Sequence, residues 1–161
     1  MECSEVSIAP YTLSVTDFRQ VQVMKRILIV DDNATVRRGL RGVLQHHEDW
    51  DVCGEASDGR QAIERAQELH PDILLLDLAM PGMNGFDTAR ELAKLQPELQ
   101  ILLCTVQLST FVVREAEKVG IQGAVSKSKV SQITDGIAAL LRHETFYCWP
   151  TDETDSNSLQ P

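Results

Sequence analysis

Short apolar runs alternate with longer amphipathic stretches along this chain. Five runs recur about every two dozen residues and read as strands: Arg26–Val30, Asp51–Ala56, Asp72–Leu76, Gln100–Cys104 and Gly123–Ser126. In Ile27-Leu28-Ile29-Val30 and Ile73-Leu74-Leu75-Leu76 every position is apolar, the mark of strands covered on both faces. The intervening stretches keep a helical period. Val36, Leu40, Val43 and Leu44 share one face of the first, and Ala62, Ile63, Ala66 and Leu69 one face of the second. Phe86, Ala89, Leu92 and Ala93 mark the third, and Val112, Ala116 and Val119 the fourth. Val130, Ile133, Ile137, Leu140 and Leu141 give the fifth the clearest stripe. Strand and helix alternating five times predict an α/β, doubly wound parallel sheet with helices on both faces. Gly54 and Gly59 read as the ends of the second strand, while Pro71, Pro81-Gly82 and Gly120 fall between elements.

The chain has 161 residues, enough for one domain with a sizeable core. Residues 1–23 have no clean period and read as an N-terminal extension, residues 24–144 as the domain, and 145–161 as a tail. From Thr151 onward that tail is polar, acidic and expected to be disordered, whereas Phe146, Tyr147 and Trp149 are suited to pack back on the domain. No run approaches the roughly 18 apolar residues of a membrane span, and no secretory signal opens the chain. The expectation is a cytoplasmic protein. A net charge of −9 without a basic face disfavours direct nucleic-acid binding. Cys3, Cys53, Cys104 and Cys148 form no CxxC pair, and no histidine has a ligand partner at metal spacing, which argues against zinc.

Charge matters most at the strand ends. Asp31 and Asp32 directly follow the first strand and Asp77 the third. If those strands are neighbours, three carboxylates converge, and their repulsion requires cations. A set of oxygen ligands suits a hard divalent ion, Mg²⁺, better than zinc or copper. Thr105 ends the fourth strand with a hydroxyl, and Lys127 ends the fifth with an ammonium group. A carboxylate nucleophile, a hard metal, a lysine and a hydroxyl make a phosphoryl-transfer site, whose chemistry is positioning and charge neutralisation. Such a nucleophile is already ionised at neutral pH and needs no histidine as base. Singly, each residue has an ordinary explanation: Asp32 or Asn33 capping a helix, Lys127 solvated, Thr105 present for β-propensity. Five of them at the ends of four strands form a joint pattern that chance rarely produces.

The stretches Arg26-Ile27-Leu28-Ile29-Val30-Asp31-Asp32-Asn33 and Asp77-Leu78-Ala79-Met80-Pro81-Gly82-Met83-Asn84-Gly85, with Thr105 and Lys127-Ser128, resemble the receiver (CheY-like) domains of two-component response regulators. The resemblance covers about Lys25 to His143 and is closest in style to regulators with a C-terminal helix-turn-helix domain. It implies a five-stranded sheet in order 2-1-3-4-5 flanked by five helices. It implies that Asp77 accepts a phosphoryl group from a sensor histidine kinase or phosphotransfer protein. Asp32, Asp77 and the carbonyl of Ala79 would bind Mg²⁺, with Asp31 acting largely through water. Lys127 would pair with the phosphoryl oxygens and Thr105 would hydrogen-bond one of them. On this reading the chain is no enzyme, beyond catalysing its own phosphorylation and dephosphorylation.

Two departures from the family pattern stand out. Ala124 and Val125 follow Gly123 where family members usually carry an aromatic residue, so the usual aromatic switch is absent or replaced. Val106 follows Thr105 where small residues are common, and is expected to narrow access to the phosphoryl group. If the chain is complete, output runs through a downstream protein partner at the fourth helix, fifth strand and fifth helix, or through a phosphorylation-dependent homodimer. The alternative is a DNA-binding transcription regulator whose output domain is missing from this chain. A metal-dependent phosphatase with an aspartate nucleophile is disfavoured because Ala79 stands where its second aspartate is needed, and no glycine-rich nucleotide loop follows the first strand. A degenerate receiver used only for docking is disfavoured by retention of all five site residues.

Overall fold

The computed structural model of the chain describes residues 22–151. Six strands and five helices alternate: β1 (Lys25–Val30), α1 (Ala34–Leu44), β2 (Trp50–Ala56), α2 (Gly59–Leu69), β3 (Ile73–Leu76), α3 (Gly85–Leu95), β4 (Gln100–Thr105), α4 (Thr110–Lys118), β5 (Gly123–Ser126), α5 (Val130–Leu141) and β6 (Phe146–Tyr147). All strand pairs are parallel, in the order β2-β1-β3-β4-β5-β6. The expected 2-1-3-4-5 core is present, extended by one short strand. The expectations for residues 1–21 and 152–161, including an N-terminal extension, a disordered acidic tail and Cys3, lie outside the described residues. Among the described residues no helix is long and apolar enough to cross a membrane.

Successive side chains of a strand point to opposite faces, so an all-apolar strand feeds two cores at once. Leu28, Val30, Leu74 and Leu76 pack with α2, α3 and α4, through Ala62, Ala66, Ala89 and Leu92 among others. Ile27, Ile29, Ile73 and Leu75 face the other way, onto Leu40 and Leu44 of α1 and Ile133, Ile137 and Leu140 of α5. All four residues of β3 are buried, as befits its place at the centre of the sheet. Helix entry is specified locally. Asn33, Asp58, Asn84 and Ser109 each cap a helix by accepting backbone N–H bonds, and for the first helix Asn33, not Asp32, is the cap.

Gly54 lies inside β2 and does not end it. The pairing with β1 skips a residue there, Ile27 facing Val52 and Leu28 facing Gly54. Cys53 is the extra residue of this bulge, and its thiol donates to the Ile27 carbonyl. A Cβ on Gly54 would meet the Leu69 Cδ1 atom at 2.6 Å, which explains glycine within the strand. Cys104 is buried on the α1/α5 face, where burial pushes its thiol up to about 12.

The sixth strand sits on the edge of β5. The Phe146 N–H donates to Gln122 O at 3.0 Å and the Cys148 N–H to Ala124 O at 2.9 Å. Phe146 faces the α5 side and Tyr147 the α4 side, where the Tyr147 hydroxyl donates to the Ile121 carbonyl. Two glycines make room for this segment. A Cβ on Gly123 would lie 2.7 Å from Phe146 O, and one on Gly136 would lie 3.1 Å from the Phe146 ring. Gly123→Val is therefore expected to unpair β6. Hydrogen exchange at the Cys148 amide measures this, and undiminished protection would show that the edge tolerates the branch. Tyr147→Phe should destabilise the fold by about 1 kcal/mol in urea unfolding, the typical net worth of one hydrogen bond.

Candidate functional site

Parallel strands all end on the same side, so the residues just past β1, β3, β4 and β5 meet at one edge of the sheet. Register sets their depth. Val30 pairs with Leu76, which places Asp31 beside Asp77 one step further on. The Asp77 N–H is anchored to Val30 O at 2.9 Å and the Asp31 N–H to Ala56 O at 3.1 Å. Thr105 and Ser126 pair across β4 and β5, and the Lys127 N–H donates to Thr105 O at 3.0 Å. Gly85 lets the chain close behind Asp77, since a Cβ there would lie 2.5 Å from the Asp77 carbonyl oxygen.

All six residues singled out in the sequence line one depression of about 490 Å³: Asp31, Asp32, Asp77, Ala79, Thr105 and Lys127. Carboxylate oxygens of Asp31, Asp32 and Asp77 lie within 4.8 Å of one another. Asp31 and Asp77 are buried, while Asp32 and Ala79 are exposed at the rim. The Lys127 ammonium lies 2.5 Å from Asp31 Oδ2 and 3.1 Å from Asp77 Oδ1. The Asp77 carboxylate also accepts from the Ala79 N–H at 3.3 Å, and Asp31 Oδ1 from the Asn33 N–H at 2.8 Å. Thr105 is buried, and its hydroxyl oxygen accepts from the Gln107 N–H at 3.4 Å. Val106 lines the same depression with 73% of its surface exposed.

The charges do not balance. Three carboxylates face one ammonium group, leaving two negative charges in a half-dry hollow. Burial raises the Asp77 carboxyl above the usual range, against the opposing pull of Lys127, and the Asp31 charge adds to the rise. Burial works to lower the Lys127 ammonium, but its bonds to Asp31 and Asp77 outweigh that and raise it. Asp31 Oδ2 is buried without a hydrogen-bond partner, the Lys127 ion contact aside. Three carboxylates whose oxygens lie within 4.8 Å of one another, with a single ammonium against them, form an all-oxygen donor set that fits a hard divalent cation.

Three supporting residues escaped the sequence reading. Arg37 on α1 donates from Nη1 to the Asp31 carbonyl at 2.7 Å and from Nε to Glu55 at 3.0 Å. Glu55 also accepts from Arg41 Nε at 2.7 Å. The Arg41 bond, with the one from Arg37, holds the Glu55 carboxyl below its usual range despite partial burial. Their signal lay in the strand register, Glu55 standing opposite Ile29, which periodicity alone does not provide.

A family model described as the response regulator receiver domain matches residues 27–138. The chemotaxis protein CheY of Thermotoga maritima is 40% identical over 103 residues, 64% of this chain and 85% of that protein. The transcriptional regulatory protein LiaR of Bacillus subtilis is 34% identical over 122 residues, 75% of this chain but only 58% of its own length. Among solved structures, the isolated REC domain of RcsB from Salmonella enterica serovar Typhimurium, in the presence of the phosphomimetic BeF3⁻, aligns with a TM-score of 0.72 at 26% identity. That alignment covers 78% of this chain and 94% of the other. Strand order, site geometry and sequence match agree, and the chain belongs to the response regulator receiver domains of two-component signalling.

Proposed function

We propose that this receiver domain accepts a phosphoryl group on Asp77 in a Mg²⁺-dependent reaction, with a phosphohistidine of a sensor kinase or phosphotransfer protein as donor. The observation that carries this reading is the buried Asp77 carboxylate, in contact with Lys127 and within 4.8 Å of two further carboxylates. Asp32, Asp77 and the Ala79 carbonyl would hold the ion, with Asp31 behind a water molecule. When bound there, Mg²⁺ would supply charge that neutralises the phosphoryl oxygens.

The rest falls to the chain's own residues. An Asp77 carboxylate oxygen attacks phosphorus, the P–N bond to the donor imidazole breaks, and the imidazole leaves with the bonding pair. The product is an acyl phosphate on Asp77. Lys127, already against Asp77, is placed to pair with a phosphoryl oxygen as the carboxylate gives up its own charge. Thr105, buried at the tip of β4, is placed to donate its hydroxyl to another. Asp31 holds Lys127 in place throughout. We place the protein in the cytoplasm, with output through a downstream protein partner or a phosphorylation-dependent homodimer. The match to LiaR, of which this chain spans 58%, favours a second reading as the receiver part of a transcription regulator.

Incubation with Mg²⁺ and acetyl phosphate should give a single phosphoryl adduct by intact mass. The adduct should vanish in Asp77→Asn and on chelation of the metal; an adduct surviving Asp77→Asn overturns the assignment. A second expectation follows from charge. Because burial raises Asp77, the folded state binds its proton more tightly than the unfolded chain does. Its ionisation thus weakens the fold above the ordinary carboxylate range. Without metal, Asp77→Asn should melt a few degrees higher than the parent at pH 7, and the difference should close as pH falls through the carboxylate range. Melting curves across pH check both sign and window. Val106→Ala should shorten the lifetime of the adduct; an unchanged lifetime removes any gating role for Val106.

A further inference from the structure

Every backbone polar group of Asp31 is tied. Its N–H donates to Ala56 O at 3.1 Å, and its carbonyl accepts from Arg37 Nη1 at 2.7 Å. That carbonyl belongs to the peptide joining Asp31 to Asp32, so the arginine grips the unit from which both acidic side chains spring. Asp32 depends on this grip more than its neighbour does. Lys127 and the Asn33 N–H hold the Asp31 carboxylate, whereas among the described residues no hydrogen bond or ion pair holds that of Asp32. What the fold fixes of Asp32 is therefore the backbone from which its side chain starts.

The arginine is itself fixed. Glu55 takes its Nε at 3.0 Å and Arg41 takes the second Glu55 oxygen, and the Arg37 side chain is only 17% exposed. Glu55 also offsets the guanidinium charge, so a cation near the carboxylates meets less repulsion from that side. We infer that Arg37 is a positioning residue for the acidic pair: it orients the Asp31–Asp32 peptide and so sets the affinity of the site for a divalent cation. The inference rests on the metal-dependent reading above. Groups that orient metal ligands from behind typically contribute about 10- to 100-fold in affinity.

The test compares two arginines that share one glutamate. Arg37 touches Asp31; Arg41 touches Glu55 and Val52 O instead. Binding of Mn²⁺ to the full chain is measured by electron paramagnetic resonance of the free ion, with urea unfolding in parallel. Arg37→Ala should weaken Mn²⁺ binding about tenfold. Arg41→Ala should lose comparable stability yet bind Mn²⁺ within about twofold of the parent. Arg37→Lys keeps the charge and one donor and should recover part of the loss. Should Arg37→Ala fail to fold, Glu55→Gln, which loosens the arginine without removing it, should weaken binding about threefold while the chain stays folded. Equal affinities for the Arg37 and Arg41 variants, or an unchanged affinity in Glu55→Gln, overturn the inference. A parent chain that binds no Mn²⁺ overturns the metal-dependent reading instead, so the two failures are distinguishable.

Discussion

Carboxylates on adjacent strand tips repel one another, and a hydrophobic sheet beneath them removes the water that would screen the repulsion. Here Asp31 and Asp77 are buried immediately past the last apolar residues of β1 and β3, and Asp32 stands at the rim. Lys127, delivered from β5 on the far side of β4, touches both buried acids. One ammonium cannot neutralise three carboxylates. Burial, with a smaller contribution from the Asp31 charge, raises Asp77 against the pull of Lys127, and the unbalanced carboxylates make the hollow attractive to positive charge. The same residues that strain the fold thus give it chemistry, which is how a site departs from the rules followed by the rest of a core.

The sheet exists to place those tips. Because β1, β3, β4 and β5 run parallel, their carboxyl ends face the same side of the sheet, and four residues distant in sequence reach one depression there. The two-sided burial of β1 and β3 fixes the heights of Asp31 and Asp77, since slipping either strand by one residue would swap its two apolar faces. Asn33 then turns the chain into α1, and the αL glycine Gly82 with Gly85 turns it away behind Asp77.

Much of this was legible in the sequence because the signals are local. Fully apolar runs mark central strands, the helical stripes are regular, and an acid directly after a strand needs no tertiary knowledge to be noticed. Signals that depend on register were not legible. Gly54 resembles a strand terminus in sequence but is a paired strand residue beside a bulge, and only the pairing of Leu28 reveals that Cys53 has no partner of its own. Glu55 looks like an exposed strand charge until its proximity to Arg37 and Arg41 is known. Phe146 and Tyr147 are too few to announce a strand, and their pairing is visible only in the space that Gly123 and Gly136 leave for them.

That last strand changes how the α4–β5–α5 face must be viewed. Ala124 and Val125 are fully buried and too small to reach the surface, so β5 itself offers no aromatic side chain to a partner. Tyr147 pairs in register with Ala124 and packs into the cluster that contains Val112, Val113 and Ala116 of α4. An aromatic ring is therefore present beside α4 after all, contributed from the neighbouring strand and tied by its hydroxyl to the loop before β5. With β6 in place, the edge groups of β5 are already paired, and the strand edge that a partner meets on this side is that of the two-residue β6.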